Sequence, residues 1–304
     1  MSVPTDRIVA GILLMVGFTV TAPVMDTFAK LAGDFVPVGQ IVAARFAIQV
    51  AILFPLAGLM RVLVRPTPGD ALLHLARAAL ILLATTAFFA ALRHMPLADA
   101  IAVFFIEPFV LTLLGALFLG ESVGWRRIAA CVVGFAGAMM VIRPSFAAFG
   151  PVALLPVCTA FCFASYMVLT RRIARRMTPV ALQAWTALAA CLLIGPVLVL
   201  ARGTEIAPLQ TVWPEGRVWV YLAGVGLAAT VSHIFISGAV RLAPTATVAP
   251  LQYLEIVAAT ALGYAVFGDL PDTQTFAGIA VIVAAGLYVF VRERHLSRPP
   301  LPPP

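Results

Sequence analysis

Charge is what this sequence lacks most. Of 304 residues, 11% are charged and 62% are hydrophobic, and the mean hydropathy is +1.05. A water-soluble domain carries roughly a quarter charged residues. This chain cannot coat a soluble particle, and the composition specifies a polytopic membrane protein. Lysine occurs once, at Lys30, and every other basic residue is Arg. The net charge of +7 would suggest a nucleic-acid partner in a soluble protein. Here the Arg residues sit in short loops between apolar runs, so membrane topology explains them and no nucleic-acid partner is expected.

Other absences narrow the chemistry. The four cysteines, Cys131, Cys158, Cys162 and Cys191, all lie inside apolar runs. They offer no disulfide framework, and no metal site is expected; Cys158 and Cys162, one turn apart, read as small packing residues. The phosphate-binding pattern GxxxxGK[ST] is missing, so ATP does not drive the protein directly. No GxSxG occurs, and Ser232 and His233 are adjacent and face different sides of a helix. That argues against an intramembrane hydrolase built on Ser232 or Ser237. The chain reads as a non-enzyme with no cofactor and no catalytic residue.

What is present is one stretch written twice. Ala91–Glu121 falls on Ala239–Asp269 at a shift of 148 residues without a gap. Arg93 meets Arg241, Pro96 meets Pro244, Ala98 meets Ala246 and Glu107 meets Glu255; Thr112, Leu114, Gly115 and Gly120 meet Thr260, Leu262, Gly263 and Gly268. Two apolar helices share Ala and Leu by composition alone, but not an Arg, a Pro, a mid-span Glu and two Gly in one register. A second block matches at a shift of 142: Lys30 with Arg172, Ala32 with Ala174, Pro37 with Pro179, Val38 with Val180.

A bilayer span needs about 20 mostly apolar residues. Ten segments qualify: Ile8–Phe28, Val36–Leu59, Ala71–Leu92, Ala98–Leu119, Arg126–Ile142, Ala153–Thr170, Pro179–Leu200, Val218–Val240, Thr245–Phe267 and Thr273–Val291. The first is a retained helix rather than a cleaved signal. With both termini in the cytoplasm, 14 loop Arg fall inside, Arg61, Arg65 and Arg77 among them, and five Lys or Arg fall outside; Arg45 is left within the second span. Five spans per half make the repeats inverted. The expected fold is an all-α membrane protein of ten transmembrane helices in two inverted five-helix repeats, 1–145 and 146–292, followed by a Pro-rich disordered tail, 293–304. Rocking about the resulting pseudo-two-fold axis is a route to alternating access.

The layout, the paired endings PLADAIAVFFIEPFVLTLLGALFLGE and PTATVAPLQYLEIVAATALGYAVFGD, and Arg45 in the second span resemble the EamA family of the drug/metabolite transporter superfamily. The likeness covers Ile8 to Arg292, and within the superfamily the chain is similar to the YddG-type amino-acid exporters. The resemblance implies a secondary transporter, most simply an exporter of amino acids or related metabolites, multi-pass in a bacterial inner membrane. It implies a small-molecule substrate, protons as a possible partner, the lipid bilayer as surroundings, and function as a monomer. The alternatives are uptake or exchange of a nucleotide-like metabolite such as S-adenosylmethionine, and a non-transporting receptor.

Polar groups inside spans are costly and so are candidate site residues. The ninth span carries Gln252 and Glu255 on one stripe; Glu107 is the repeat mate of Glu255. Desolvation disfavours a charged carboxylate at that depth, so Glu255 is a candidate proton switch or holder of a substrate ammonium, or else a protonated structural group. The eighth span aligns Thr230, His233 and Ser237, and the sixth Thr159 and Tyr166. Thr19 in the first span, Phe89 in the third and Phe105 in the fourth complete the binding candidates, the rings as apolar wall or plain packing. Asp26 and Lys30, an i,i+4 pair near the outer end, read as gate or interfacial ion pair. Arg45 is a structural or gating candidate, and Pro108 and Pro250 read as kinks or cavity-lining breaks. The acidic endings Gly120-Glu121 and Gly268-Asp269 read as helix-end signals.

Overall fold

A computed structural model describes residues 5–119, 125–173, 176–243 and 249–296. The Gly120-Glu121 ending, the matches at Pro244 and Ala246, Arg175, Arg298 and the tail from residue 297 lie outside these.

Every regular element among the described residues is a helix. α1 (Thr5–Gly33), α2 (Val38–Leu59) and α3 (Pro68–Leu92) are followed by α4 (Leu97–Phe104) and α5 (Glu107–Leu119). α6 (Trp125–Phe149) leads through a 3₁₀ turn, Gly150–Leu154, into α7 (Leu155–Ile173). α8 (Pro179–Leu200), α9 (Val218–Leu242), a 3₁₀ turn Ala249–Tyr253, α10 (Leu254–Leu262), a π turn Gly263–Phe267 and α11 (Thr273–Leu296) complete the chain. Among the described residues, seven helical runs are long and apolar enough to cross a membrane. One of them, Val132–Thr170, runs over the expected fifth and sixth segments; Leu251–Phe267 and Thr273–Ala285 are shorter apolar helices where the last two were expected. The molecule is thus an all-α membrane protein, with seven long apolar runs among the described residues.

Helix starts follow local chemistry. Thr67 caps α3 by accepting from the Asp70 amide at 3.2 Å, with Pro68 at the first helical position. Thr178 caps α8 in the same way, with Pro179 in the same place. Pro supplies a ready-made helical φ where its missing N–H costs nothing.

Two expected spans are not single helices. The fourth breaks at Phe105–Ile106, between α4 and α5. Pro108 has no N–H for the Phe104 carbonyl, and the chain passes through short-range bonds, Ile106 N to Val103 O (3.4 Å) and Phe109 N to Ile106 O (3.1 Å). The ninth is a 3₁₀–α–π composite. It ends at Gly268 with φ 75, where the Gly268 and Asp269 amides donate to Tyr264 and Gly263 carbonyls at 3.0 and 3.2 Å. A left-handed glycine closing both bonds is a helix stop. Irregular backbone at membrane depth persists only where protein or a cavity surrounds it.

Packing repeats itself across the two halves. α1 lies on α9 and α3 on α7; α2 on α9 and α3 on α8; α5 on α7 and α1 on α10. α2 meets α8, and α6 meets α11. Exchanging the halves leaves this set of pairings unchanged.

Without a hydrophobic drive between helices in lipid, close van der Waals approach holds them, and glycine permits it. A Cβ on Gly226 of α9 would stand 2.5 Å from the Ile48 Cβ of α2, a branched atom that cannot swing away. Gly195 on α8 has nothing within 4 Å of that point. Replacing Gly226 by Val should therefore cost about 1–3 kcal/mol of stability from overpacking. Gly195→Ala should cost nothing. Thermal unfolding in detergent checks the pair: a lowered midpoint for the first variant only is the expected result.

Candidate functional site

One cavity lies between α1, α2, α3, the α4–α5 break, α7, α9 and the start of α10, with about 740 Å³ of space counted up to its mouth. Its wall is aromatic. Phe88 and Phe89 of α3, Phe104 and Phe105 at the break and Phe163 of α7 all face it. The rings interlock edge to face, Phe88 on Phe104 with centroids 6.0 Å apart and Phe104 on Phe163 at 5.7 Å.

Against this wall stands a polar pole. Asp26, Arg45, Glu107, His233, Gln252 and Glu255 line the same cavity. Repeat mates Glu107 and Glu255 are both buried, at 2% and 6% exposure, so the duplication brings two carboxylates from different halves to one space. Pro108 lines it too, at the helix break that aims Glu107 inward.

Arg45 is the hub. Its guanidinium donates to the Thr85 hydroxyl through one terminal nitrogen and to His233 Nε2, at 3.1 Å, through the other. His233 Nδ1 lies 3.0 Å from the Ala229 carbonyl. A guanidinium can only donate and a carbonyl can only accept. The imidazole is therefore neutral, with its proton on Nδ1. A second proton would have to face Arg45. Arg45 Nε and Asp26 Oδ1 are buried without a hydrogen-bond partner. One donor and one acceptor are thus left over at the cavity's polar end.

The structure separates the candidates into three groups. Phe89, Phe105, Glu107, His233, Gln252, Glu255, Asp26, Arg45 and Pro108 meet at the cavity. Thr19 and Thr230 do not. Both are buried and spend their hydroxyls on their own helices, on the carbonyls of Val16 and Gly226 at 2.8 Å. Tyr166 and Ser237 belong instead to a separate polar layer with Arg77. Pro250 sits in the 3₁₀ turn and does not line the cavity.

Two expectations need correcting. Lys30 does not pair with Asp26: it bridges to Asp269 at 3.0 Å and lies 4.5 Å over the Phe267 ring, tying the end of α1 to the end of the π turn. Asp26 points into the cavity instead. Arg77 is not a loop residue. It lies within α3 with no exposed surface, donating from Nε to Thr170 (3.1 Å), from Nη1 to Thr186 (2.6 Å) and from Nη2 to the Tyr166 hydroxyl (3.0 Å). Its distance from the charged stretch Arg61–Arg65 is the sequence sign that it is helical.

The chain matches the EamA-like transporter family over residues 9–143 and 150–291. It is 31% identical to a riboflavin transporter of Rhizobium johnstonii, across 75% of this chain and 72% of that one. It is 25% identical to an S-adenosylmethionine uptake transporter of Rickettsia felis, across 73% and 72%. It is 27% identical to the pseudopaline exporter CntI of Pseudomonas aeruginosa, across 92% and 95%. A solved crystal structure covers 95% of this chain and 99% of its own, with a TM-score of 0.66 at 21% identity, a likeness of fold.

The hub makes a stability prediction. Thr85→Val strips an acceptor from a buried guanidinium and should cost about 1–3 kcal/mol. His233→Gln keeps an acceptor for Arg45 and should cost less. Unfolding midpoints of the two purified variants test the order; the reverse order would place the weight on the imidazole.

Proposed function

Because the chain belongs to the EamA-like transporter family, a family of secondary transporters rather than enzymes, we propose that it carries a small metabolite bearing an aromatic ring through the central cavity by alternating access. The observation behind this reading is the division of the cavity. An aromatic wall of five Phe faces a buried acceptor and donor, Asp26 and Arg45. A flat ring stacks on the first and presents hydrogen-bonding edges to the second. Relatives named for riboflavin and S-adenosylmethionine transport fit that chemistry, since both molecules carry a heteroaromatic ring. The path is formed by ten spans in two inverted halves, 1–145 and 146–292; the pairings of helices that survive exchange of the halves support this. Both termini lie in the cytoplasm in this reading, one chain forms the path, and the membrane is a bacterial inner membrane.

A second reading, export of an amino acid in the manner of YddG-type exporters, is favoured by one specific observation. Asp26, Glu107 and Glu255 place three carboxyl groups around one cavity, and a substrate ammonium needs such acceptors.

Flux into reconstituted liposomes separates the two. Riboflavin, S-adenosylmethionine, and aromatic and aliphatic amino acids are supplied in turn, with and without a pH gradient. A ring-bearing metabolite should move. Asp26→Asn and Glu255→Gln should each lower its flux about tenfold or more, because each removes a buried acceptor. Movement of aliphatic amino acids alone would replace the aromatic reading with the exporter reading. No flux from folded protein would favour a receptor.

A further inference from the structure

Directly beneath the cavity lies a closed layer of polar side chains. Three of the cavity helices, α3, α7 and α9, reach it within one turn. On α3, Ile81 lines the cavity and Arg77 is four residues nearer the helix start. On α7, Phe163 lines the cavity and Tyr166 follows, the two rings 5.7 Å apart. On α9, His233 lines the cavity and Ser237 is one turn on. The layer is knit across four helices. Arg77 holds Tyr166 and Thr170 of α7 and Thr186 of α8; Gln183 of α8 donates to both the Tyr166 hydroxyl and the Ser237 hydroxyl at 3.0 Å. All six side chains are buried.

Two features of this layer are poor choices for permanent packing. Arg77 is a fully buried cation held by three neutral hydroxyls, with no carboxylate bonded to it among the described residues. His74, three residues before it and 3% exposed, has neither ring nitrogen bonded. Burying a charge or an orphan polar group is unfavourable, and water relieves it. The same α3 stripe continues outward to Asp70, which reaches Arg176 beyond α7 at 3.7 Å. Arg241, one turn past Ser237, is exposed. Polar stripes on α3 and α9 therefore run from cavity floor to membrane edge, and polar stripes inside a bilayer mark pathways.

The corresponding place in the other half is apolar. The two repeat shifts carry Arg77, Tyr166, Thr170, Thr186 and Ser237 onto Val225, Val24, Phe28, Ala44 and Phe89. The two repeat-related places thus carry unlike side chains.

We propose that the Arg77 layer is the gate that shuts the central cavity on the side of the α3 start and the α9 end, and that it parts to admit water and release substrate there. This rests on the alternating-access reading. In the expected topology that side is the cytoplasm. Hydrogen bonds between neutral hydroxyls and a guanidinium are exchanged for bonds to water at little cost once the helices separate, which suits a seal that must open.

The test reads accessibility and needs no substrate. In a chain whose four cysteines are replaced by Ala, Ala84→Cys places a reporter thiol on the cavity wall. A charged, membrane-impermeant thiol reagent is applied from each face of oriented vesicles. With Arg77 intact, labelling from the α3-start side should be slow. Arg77→Gln should speed it about tenfold from that side only, as a shift toward the open state. Tyr166→Phe removes the hydroxyl that both Arg77 and Gln183 bond, and Thr186→Val the one that Arg77 Nη1 bonds; each leaves the guanidinium in place and should give a smaller rise in the same direction, and they decide the matter if Arg77→Gln does not fold. Equal labelling from both faces with Arg77 intact overturns the gate. So do variants that lower the unfolding midpoint without changing the sidedness of labelling. Failure of liposome flux with sided labelling retained would count against the transport reading and leave the gate standing.

Discussion

The structure depends on keeping two guanidinium groups inside a bilayer. A buried cation must be surrounded by acceptors, and no single helix supplies enough of them. Arg45 draws on α3 and α9 from its place on α2, and Arg77 draws on α7 and α8 from α3. α3 is common to both sets. Helix contacts in lipid gain little from hydrophobicity, so these bonds, with the glycine contacts such as Gly226 on Ile48, fix which helices meet and at what depth.

The duplication gives this arrangement its logic. Thr85 and His233 are repeat mates at the shift of 148, and Arg45 bonds to both. Arg45 therefore sits where the two halves meet as equivalents, while its own mate on α8 is the small Ala187. Glu107 and Glu255 obey the same rule from the fourth and ninth segments, reaching one cavity from opposite halves. At the Arg77 layer the rule is broken, and that break makes the two ends of the path chemically different. All six side chains of that layer, Gln183 against Ile41 included, differ from their counterparts at the two shifts.

Much of this was legible from residues, and the misses share a cause. Glu107, Glu255, Asp26, Arg45 and His233 are conspicuous because a charge or imidazole in an apolar run is too costly to persist without a use. Thr19 and Thr230 were as conspicuous but turn back on their own carbonyls, an option every helical Thr has and no spacing rule excludes. Arg77 was hidden by its neighbours, counted with Arg61 and Arg65 as loop charge, although Asp70, His74, Arg77 and Ile81 follow helical spacing. The break before Glu107 was signalled by Pro108. The π turn at Gly263–Phe267 had no comparable sign. Phe163 could not be told from ordinary packing, because a Phe on a helix serves both purposes equally well.

The central claim is that the two ends of the path open in turn, related by the duplication. Spin labels at Gly69 and Arg176 report the end next to the Arg77 layer, and labels at Asp34 and Arg217 report the other; the two pairs correspond through the shifts of 142 and 148, and all four positions are exposed. Pulsed electron resonance on each pair, in membranes with and without transported substrate, measures the separations directly. This account predicts two distances at each end, the longer at one rising in population as the longer at the other falls. A single unchanging distance at both ends under every condition would contradict it.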